Sequence, residues 1–294
     1  MPRIAYVNGR YLPHADASVH IEDRGFQFAD GVYEVVAFMG GAFVDERGHL
    51  DRLERSLSEL KISMPAPRRV LMLVMREMAR RNRLRDGLFY IQVTRGVAPR
   101  DFKFPLGAKP TLVMTMRPAD FDMAARKKML RKAASVPDIR WKRRDIKSTA
   151  LLAQVLAKQA AVNRGAYEAL MIDDDGFVTE GSSTNAWIVN NKGVLVTRPS
   201  RGNMILKGVT MNALQALCKK NGIKIDLRPF TIKEAHAARE VFTTAAVSLI
   251  TPIVEIDGKK IGNGKLGDVT EKIMDIYTDY APTDIKHQFT WEAA

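Results

Sequence analysis

The sequence of 294 residues has a single cysteine, Cys218. One cysteine excludes a disulfide framework within the chain and fits a reducing compartment. The amino terminus lacks the apolar h-region of a secretory signal, and no apolar run reaches the ~20 residues needed to cross a bilayer. These absences predict a cytoplasmic protein with no membrane partner. Cys218 falls in a helical apolar pattern, which predicts a small core side chain.

The sequence also lacks the patterns typical of metal, nucleic-acid and dinucleotide sites. The five histidines have no spacing typical of metal ligands, so we predict no metal site. The net charge is +13, but the basic residues are spread out and no aromatic-rich basic motif accompanies them. We therefore predict no nucleic-acid partner, and small anionic ligands fit the charge as well. Residues 262–267 match G-x-G-x-x-G by letter, yet no strand pattern follows their helix, which predicts a turn and not a dinucleotide site.

What is present is an ordinary globular composition, with 46% hydrophobic and 27% charged residues. The length suffices for two domains. Strand and helix patterns are grouped along the chain and do not alternate, which predicts an α+β fold. A polar stretch that contains Pro118 indicates a connection. We predict an amino-terminal domain over 1–118, a linker over 119–129 and a carboxyl-terminal domain over 130–294.

Local patterns predict individual elements. Asn8-Gly9 between two short β-forming runs predicts a hairpin. Apolar spacing predicts helices over 49–62, 69–82, 148–164 and 267–280 and one more after Thr210. Ser148 is the predicted N-cap of the third of these helices. In that helix, one face collects Leu151, Leu152, Val155, Leu156 and Gln159. β-forming runs predict strands over 32–39, 88–94, 111–116, 132–136, 168–172, 184–189, 240–246 and 253–256.

Four places in the chain suggest chemistry when they are taken together. Lys147 stands where a charged segment meets an apolar helix pattern, a setting that favours a deprotonated amine. Glu180 lies in a hydroxyl-rich stretch and is a carboxylate that could hold a protonated pyridine nitrogen. Residues 208–210 open a helix, whose N–H groups and Thr210 hydroxyl form a phosphate cradle. Arg52, near another helix start, could also reach a phosphate. Each is ordinary alone; together they are the parts that a pyridoxal-phosphate site needs.

Five motifs in chain order strengthen this interpretation. They are Phe26-Gln27-Phe28-Ala29-Asp30-Gly31-Val32-Tyr33-Glu34, His49-Leu50-Asp51-Arg52-Leu53, Asp145-Ile146-Lys147-Ser148, Thr179-Glu180-Gly181-Ser182-Ser183-Thr184-Asn185 and Ile250-Thr251-Pro252. The set resembles the class IV pyridoxal-phosphate aminotransferases, also called fold type IV, over nearly the whole chain. Within the class, residues 92–100 and 203–208 most resemble the D-amino acid aminotransferases. The resemblance implies a two-domain fold with a smaller amino-terminal α/β sandwich domain and a larger carboxyl-terminal pseudo-barrel domain.

The resemblance also implies roles for particular residues. Lys147 is then the Schiff-base lysine and the proton shuttle, and Glu180 contacts the pyridine nitrogen. The other cofactor-binding positions are Arg52, Leu206, Val209, Thr210 and Ala246. Tyr33 and Arg100 bind the substrate carboxylate, with Arg100 reaching across a dimer interface, since a guanidinium fork suits a carboxylate. The remaining substrate-binding positions are Val35, Phe102 and Ser182.

Two positions depart from the family pattern. Phe102 stands where D-amino acid aminotransferases usually have a histidine, which removes one carboxylate partner. Ala246 stands where the family usually has a hydroxyl for the phosphate, so only a backbone N–H can serve there. We therefore expect weaker phosphate anchoring.

The sequence predicts a homodimeric aminotransferase that moves an amino group from a D-amino acid to a 2-oxo acid in two half-reactions. Three rivals of the same class remain open: a branched-chain L-amino acid aminotransferase, an (R)-amine transaminase and an aminodeoxychorismate lyase. The Arg100 motif argues against the first and Phe102 keeps the second open. A pyridoxal-phosphate carrier without turnover and a basic nucleic-acid binder are the alternatives from other functional classes.

Overall fold

A computed structural model describes residues 3–281 of the chain. The described residues form two compact units, one of 3–121 together with Ile146–Ala150, the other of Asp122–Asp145 together with 151–281. The five residues around Lys147 thus belong with the first unit. The predicted domain limits place these five residues in the carboxyl-terminal domain, and those limits stay a prediction. In this part of the chain, no helix combines the length and apolar character required to span a membrane.

The first unit contains one antiparallel sheet of six strands in the order β2-β1-β6-β5-β3-β4. The strands are β1 (Ile4–Val7), β2 (Arg10–Pro13), β3 (Gly31–Met39), β4 (Ala42–Phe43), β5 (Gly87–Thr94) and β6 (Thr111–Pro118). The helices are α1 (Arg24–Phe28), α2 (Glu46–Glu59) and α3 (Arg68–Asn82), with a short 3-10 helix at His14–Asp16. The predicted hairpin is confirmed: β1 pairs with β2, and Asn8 and Gly9 both have positive φ, as a tight two-residue turn requires.

The core of this unit lies between its sheet and α2 and α3. Leu50, Leu53 and Leu57 of α2 are buried, and they pack in one cluster with Leu71 and Met75 of α3. Strand residues that complete the cluster alternate along their strands, as a half-buried sheet requires. This packing fixes β3 and α2, the two elements that carry the site residues of this unit.

The second unit contains a mixed sheet of nine strands in the order β12-β11-β10-β13-β14-β7-β8-β9, with β15 paired to β14. The strands are β7 (Arg131–Pro137), β8 (Glu168–Ile172), β9 (Val178–Gly181), β10 (Asn185–Val189), β11 (Leu195–Thr197), β12 (Ile225–Leu227), β13 (Glu240–Ala245), β14 (Leu249–Ile256) and β15 (Lys259–Lys260). The helices are α4 (Met123–Lys128), α5 (Leu152–Asn163), α6 (Val209–Lys220), α7 (Ile232–Ala237) and α8 (Asp268–Tyr280). Parallel pairs join β14 to β7, β7 to β8 and β11 to β12. Cys218 is buried in α6, as predicted, and burial raises the pKa of its thiol to about 11.

The prediction of the helix start at Ser148 was wrong. Helix α5 begins at Leu152, and Ser148 instead forms an isolated antiparallel bridge with Val32. The face predicted to be apolar is exposed, since Leu152, Val155 and Leu156 are 72%, 59% and 51% accessible. The helix packs through Ala157 and Ala161 because small side chains let it approach β7 and β8 closely. The polar segment after Pro118, predicted to be a linker, contains α4.

The glycine-rich stretch 262–267 forms a turn before α8, as predicted. The Glu240 carboxylate accepts hydrogen bonds from the backbone N–H groups of Val269 (3.1 Å) and Thr270 (2.7 Å). These are the N–H groups that a pyrophosphate would need at the start of this helix. Because a buried carboxylate already occupies that position, the geometry excludes a dinucleotide site here.

Candidate active site

Lys147 is held by its backbone along the start of β3. Its carbonyl accepts a hydrogen bond from the Tyr33 N–H (3.0 Å), and the Thr149 N–H donates to the Gly31 carbonyl (3.0 Å). Ile146, on one side, is buried in the core of the first unit. These contacts fix the backbone while the half-buried side chain stays accessible.

The Lys147 amine lies over an aromatic face. Its Nζ is 4.3 Å from the centre of the Tyr33 ring, and Tyr33 stacks on Tyr90 at 5.8 Å. Burial raises the pKa of Tyr90 to about 12, so that its phenol stays neutral. Val35 lies on the same face of β3 as Tyr33, since strand side chains alternate. The structure therefore brings Lys147 together with Tyr33, one of the predicted substrate-binding residues.

Arg52 is held from the opposite face of β3. Its Nε and Nη2 each donate to Glu34 at 2.7 Å, and His49 Nδ1 lies 2.8 Å from the same carboxylate. Glu34 and His49 are fully buried. Although burial by itself raises the pKa of Glu34, Arg52 and His49 lower it to about 2. A bidentate pair fixes the guanidinium in one orientation, as a phosphate-binding arginine requires.

Arg100 and Phe102 lie on the exposed loop that follows β5. The Arg100 guanidinium is 4.6 Å from the centre of the Phe28 ring, and Phe28 contacts Phe102 at 5.5 Å. Arg24 lies over the same ring at 4.7 Å. Phe102 is 84% exposed, and Phe104 on the same loop is 57% exposed. The two residues therefore belong to a surface group with Phe28.

Glu180 is a buried carboxylate of the second unit. It lies in β9 and is contacted by Arg140 Nη1. Neutral donors complete its shell: Asn185 Nδ2 at 3.0 Å and the Leu206 N–H at 3.2 Å. Burial raises the pKa of Glu180, while Arg140 and the Leu206 N–H act in the opposite direction. A buried carboxylate whose pKa stays raised is suited to a partner that carries a proton.

Arg140 is itself held by Asp138. Its Nε and Nη2 donate to Asp138 at 2.9 and 2.7 Å, and Arg144 Nε lies 3.2 Å from the same carboxylate. The Thr179 hydroxyl also donates to Asp138 (2.7 Å). The side chain of Arg140 thus contacts Asp138, Thr179 and Glu180.

The predicted phosphate cradle is the start of α6. Val209 and Thr210 are its first two residues, and Gly208 at the N-cap provides no side chain to cap them. A Cβ on Gly208 would lie 1.9 Å from Asn185 Oδ1, so glycine is required at this close approach. Ala246 lies in the turn that links β13 to β14 and adds no hydroxyl. The unit thus offers backbone N–H groups, which suit an anion.

Ser182 has a buried partner of its own. Its hydroxyl donates to Glu168 at 2.5 Å, and Thr184 donates to the same carboxylate at 3.1 Å. These bonds fix the turn between β9 and β10 that follows Glu180. Sequence reasoning did not assign Glu168, Asp138, Glu34 or Asn185. The one available signal was the position of Glu34 and Asn185 inside the quoted motifs.

The chain is similar in sequence to known aminotransferases. Residues 31–256 match the family model described as amino-transferase class IV. The chain is 35% identical to a D-alanine aminotransferase of Staphylococcus haemolyticus over 276 residues, which cover 94% of this chain and 96% of that protein. It is 36% identical to a D-alanine aminotransferase of Bacillus licheniformis over 267 residues, 91% and 93% of the two chains.

A solved structure is similar over its whole length. The branched-chain amino acid aminotransferase of Escherichia coli superposes with a TM-score of 0.89 at 23% identity, covering 96% of this chain and 95% of that one. At this identity the likeness concerns the fold, and it confirms the predicted two-domain fold type IV. The chain belongs to the class IV aminotransferases.

The residues present fit the cofactor of this class. The first unit offers an accessible amine over an aromatic ring and an arginine fixed by a buried carboxylate. The second offers a buried carboxylate suited to a protonated partner and an uncapped helix start. An aldehyde, a phosphate and a pyridine nitrogen each find a matching group among these residues.

Proposed function

We propose that this chain is a pyridoxal-phosphate-dependent aminotransferase that acts on D-amino acids and 2-oxo acids. The family match supports the reaction type, and the D-alanine aminotransferases, at about 35% identity over nearly the whole chain, support the configuration of the substrate. The observation that carries the proposal is Lys147, whose backbone is fixed against β3 while its amine lies over the Tyr33 ring.

Bound pyridoxal phosphate supplies an electron sink for the carbanion at the substrate Cα. Lys147 would hold the cofactor covalently and carry the proton to and from that carbon. Glu180 would bind the pyridine nitrogen. Arg52, with the N–H groups of Val209, Thr210 and the Ala246 turn, would bind the phosphate. Tyr33, Val35, Ser182, Phe102 and Arg100 would contact the substrate.

The first experiment is a substrate panel with the purified enzyme. We expect amino transfer from D-alanine to a 2-oxo acid at a rate at least about tenfold above that from any L-amino acid. A preference for branched-chain L-amino acids, turnover of an (R)-amine, or release of pyruvate from aminodeoxychorismate would each replace D-amino acid transamination with one of the rival reactions.

Replacement of the lysine tests the mechanism. In Lys147→Ala we expect amino transfer to fall by about 10³-fold or more, because both the covalent link and the proton carrier are removed. The visible absorbance of the lysine-bound cofactor is expected to disappear. Lys142→Ala, which removes an exposed lysine from the same segment, is the matched control and should retain both. Normal turnover of D-alanine by Lys147→Ala would refute the assignment.

We propose that the enzyme is a homodimer. Two apolar surfaces support this: the exposed stripe Leu152, Val155, Leu156 and Val162 on α5, and the exposed Phe102 on the loop after β5. We expect Leu156→Glu to dissociate the dimer in analytical ultracentrifugation, whereas Asn163→Glu at the end of the same helix leaves it intact. A monomeric wild type would contradict the proposal. The cytoplasmic location stays a prediction that the single cysteine supports.

A further inference from the structure

Four charged side chains are buried side by side in the second unit. Asp138, Arg140, Arg144 and Glu180 are each at most 11% exposed, and their two negative and two positive charges balance when both carboxylates are ionised. A buried charge without a partner is strongly destabilising, and each of these four charges forms an ion pair with another member of the group. The position of each charge therefore depends on its neighbours.

Arg140 connects the two carboxylates. One edge of its guanidinium donates to Asp138 through Nε (2.9 Å) and Nη2 (2.7 Å), and Nη1 contacts Glu180. Its backbone N–H also donates to Asp138 (3.1 Å), and Nη2 reaches the Thr179 hydroxyl (3.3 Å). A planar fork held at one edge has a fixed direction at the other. The side of Glu180 that faces Arg140 is thereby set by Asp138.

The charge state of Glu180 depends on the same contact. Burial favours its protonated form, and nearby Asp138 adds repulsion. Asn185 and the Leu206 N–H are neutral donors, whereas Arg140 brings a full positive charge. Arg140 in turn is held in its charged form by Asp138 and Glu180, and Asp138 by Arg140 and Thr179. Arg144 balances the second carboxylate through Asp138.

We propose that Arg140 is a positioning residue for the cofactor: anchored by Asp138, it keeps Glu180 ionised and oriented toward the pyridine nitrogen. The inference rests on the proposed role of Glu180. It assigns to Arg140 no contact with substrate. Its effect on the reaction is indirect, because an ionised Glu180 keeps the ring nitrogen protonated and the ring able to accept electrons.

The test is a double-mutant cycle of Arg140→Gln and Glu180→Gln in the holoenzyme. Two quantities are measured: the dissociation constant of pyridoxal phosphate, and the pH at which the ring nitrogen loses its proton, followed by NMR of isotope-labelled cofactor. We expect Arg140→Gln to weaken cofactor binding about tenfold and to lower that pH by about 1 unit. In the Glu180→Gln background, Arg140→Gln should change neither quantity further, because the cycle isolates coupled residues.

Arg144→Gln is the matched control, because this substitution also removes a buried guanidinium. Arg144 contacts Asp138 and Met204. The substitution should shift the deprotonation pH of the ring clearly less than Arg140→Gln does, because Arg140 contacts Glu180 directly and Arg144 acts through Asp138. Arg140→Lys keeps the charge without the fork and should restore part of the effect. If Arg140→Gln does not fold, Arg140→Lys and Asp138→Asn are measured in its place. Both should lower the deprotonation pH of the ring nitrogen, by less than the unit expected for Arg140→Gln.

Two results separate failure of this inference from failure of the proposed function. Equal effects of Arg140→Gln and Arg144→Gln, or simple additivity with Glu180→Gln, would reduce Arg140 to a structural residue. A Glu180→Gln variant whose ring proton and cofactor affinity equal those of wild type would instead refute the role of Glu180 itself.

Discussion

Glu34 in the first unit and Glu180 in the second are both buried against an arginine, yet the pKa values of the two carboxyls are shifted in opposite directions. Glu34 receives both arms of Arg52 and a bond from His49, and its pKa falls to about 2. Glu180 receives one Nη of Arg140, whose other nitrogens are bonded to Asp138, and its pKa is raised. The charge of Glu34 is compensated by both arms of Arg52 and by His49. Glu180 shares Arg140 with Asp138, so burial outweighs the attraction of the arginine.

The comparison assigns different purposes to the two acids. Glu34 fixes Arg52, so its worth is structural. The raised pKa of Glu180 means that its ionised form costs stability, and such shifted groups are typical of functional sites. Removal of Glu34 should therefore cost more folding stability than removal of Glu180.

The largest effect is expected for Glu34→Gln. The change removes the buried charge that accepts both arms of Arg52, and we expect the free energy of unfolding to fall by about 3 kcal/mol in urea titrations at neutral pH. Glu77→Gln is the matched control, because Glu77 also pairs with two arginines and has a pKa of about 2 but lies on the surface. Its removal should not change stability beyond experimental error.

The effect of Glu34→Gln on stability should also depend on pH. The pKa of Glu34 is lowered from 4.5 to about 2, so its stabilisation is fully present above pH 4.5 and is lost as the pH falls toward 2. Glu34→Gln should therefore differ most from wild type at neutral pH and converge with it near pH 2. A constant difference across that window would show that the effect is one of packing and not of charge.

A smaller effect of opposite character is expected for Glu180→Gln. Because the pKa of Glu180 is raised, its contribution to stability is greatest at low pH and is lost as the pH rises above 4.5. The cofactor-free variant should stay within about 1 kcal/mol of wild type at neutral pH, while the dissociation constant of pyridoxal phosphate rises about tenfold or more. A loss of stability as large as that of Glu34→Gln would remove the distinction between the two acids.

These contrasts were only partly predictable from the sequence. The order of the five motifs indicated Lys147, Glu180 and Arg52, and periodicity located most strands and helices within a few residues. The helix start at Ser148 was predicted wrongly because Ser148 satisfies the rules for an N-cap, whereas its bridge to Val32 depends on a strand more than 100 residues away. Local propensity contains no information on such a pairing.

The charged partners could not be predicted for the same reason. Arg140 and Glu180 are 40 positions apart, and Arg52 and Glu34 are 18 apart. Nothing in the spacing of a charged side chain shows which carboxylate it meets after the sheet has formed. The exposure of the apolar face of α5 could not be predicted from local sequence either. An apolar stripe predicts burial but does not show which surface covers it.

The smallest effect is expected among the groups proposed to bind the phosphate, which differ in chemistry between the two units. Arg52 is fixed by a buried acid, whereas the turn after β13 offers only backbone N–H groups at Ala246. A hydroxyl there would add one hydrogen bond to the phosphate, worth about 1 kcal/mol. We therefore expect Ala246→Thr to lower the dissociation constant of pyridoxal phosphate about fivefold in equilibrium titrations. Val247→Thr, which introduces the same side chain at the next, exposed position of the turn, should not. Equal constants for Ala246→Thr and wild type would mean that Arg52 and the start of α6 already saturate the phosphate, and that Ala246 imposes no weakness on this site.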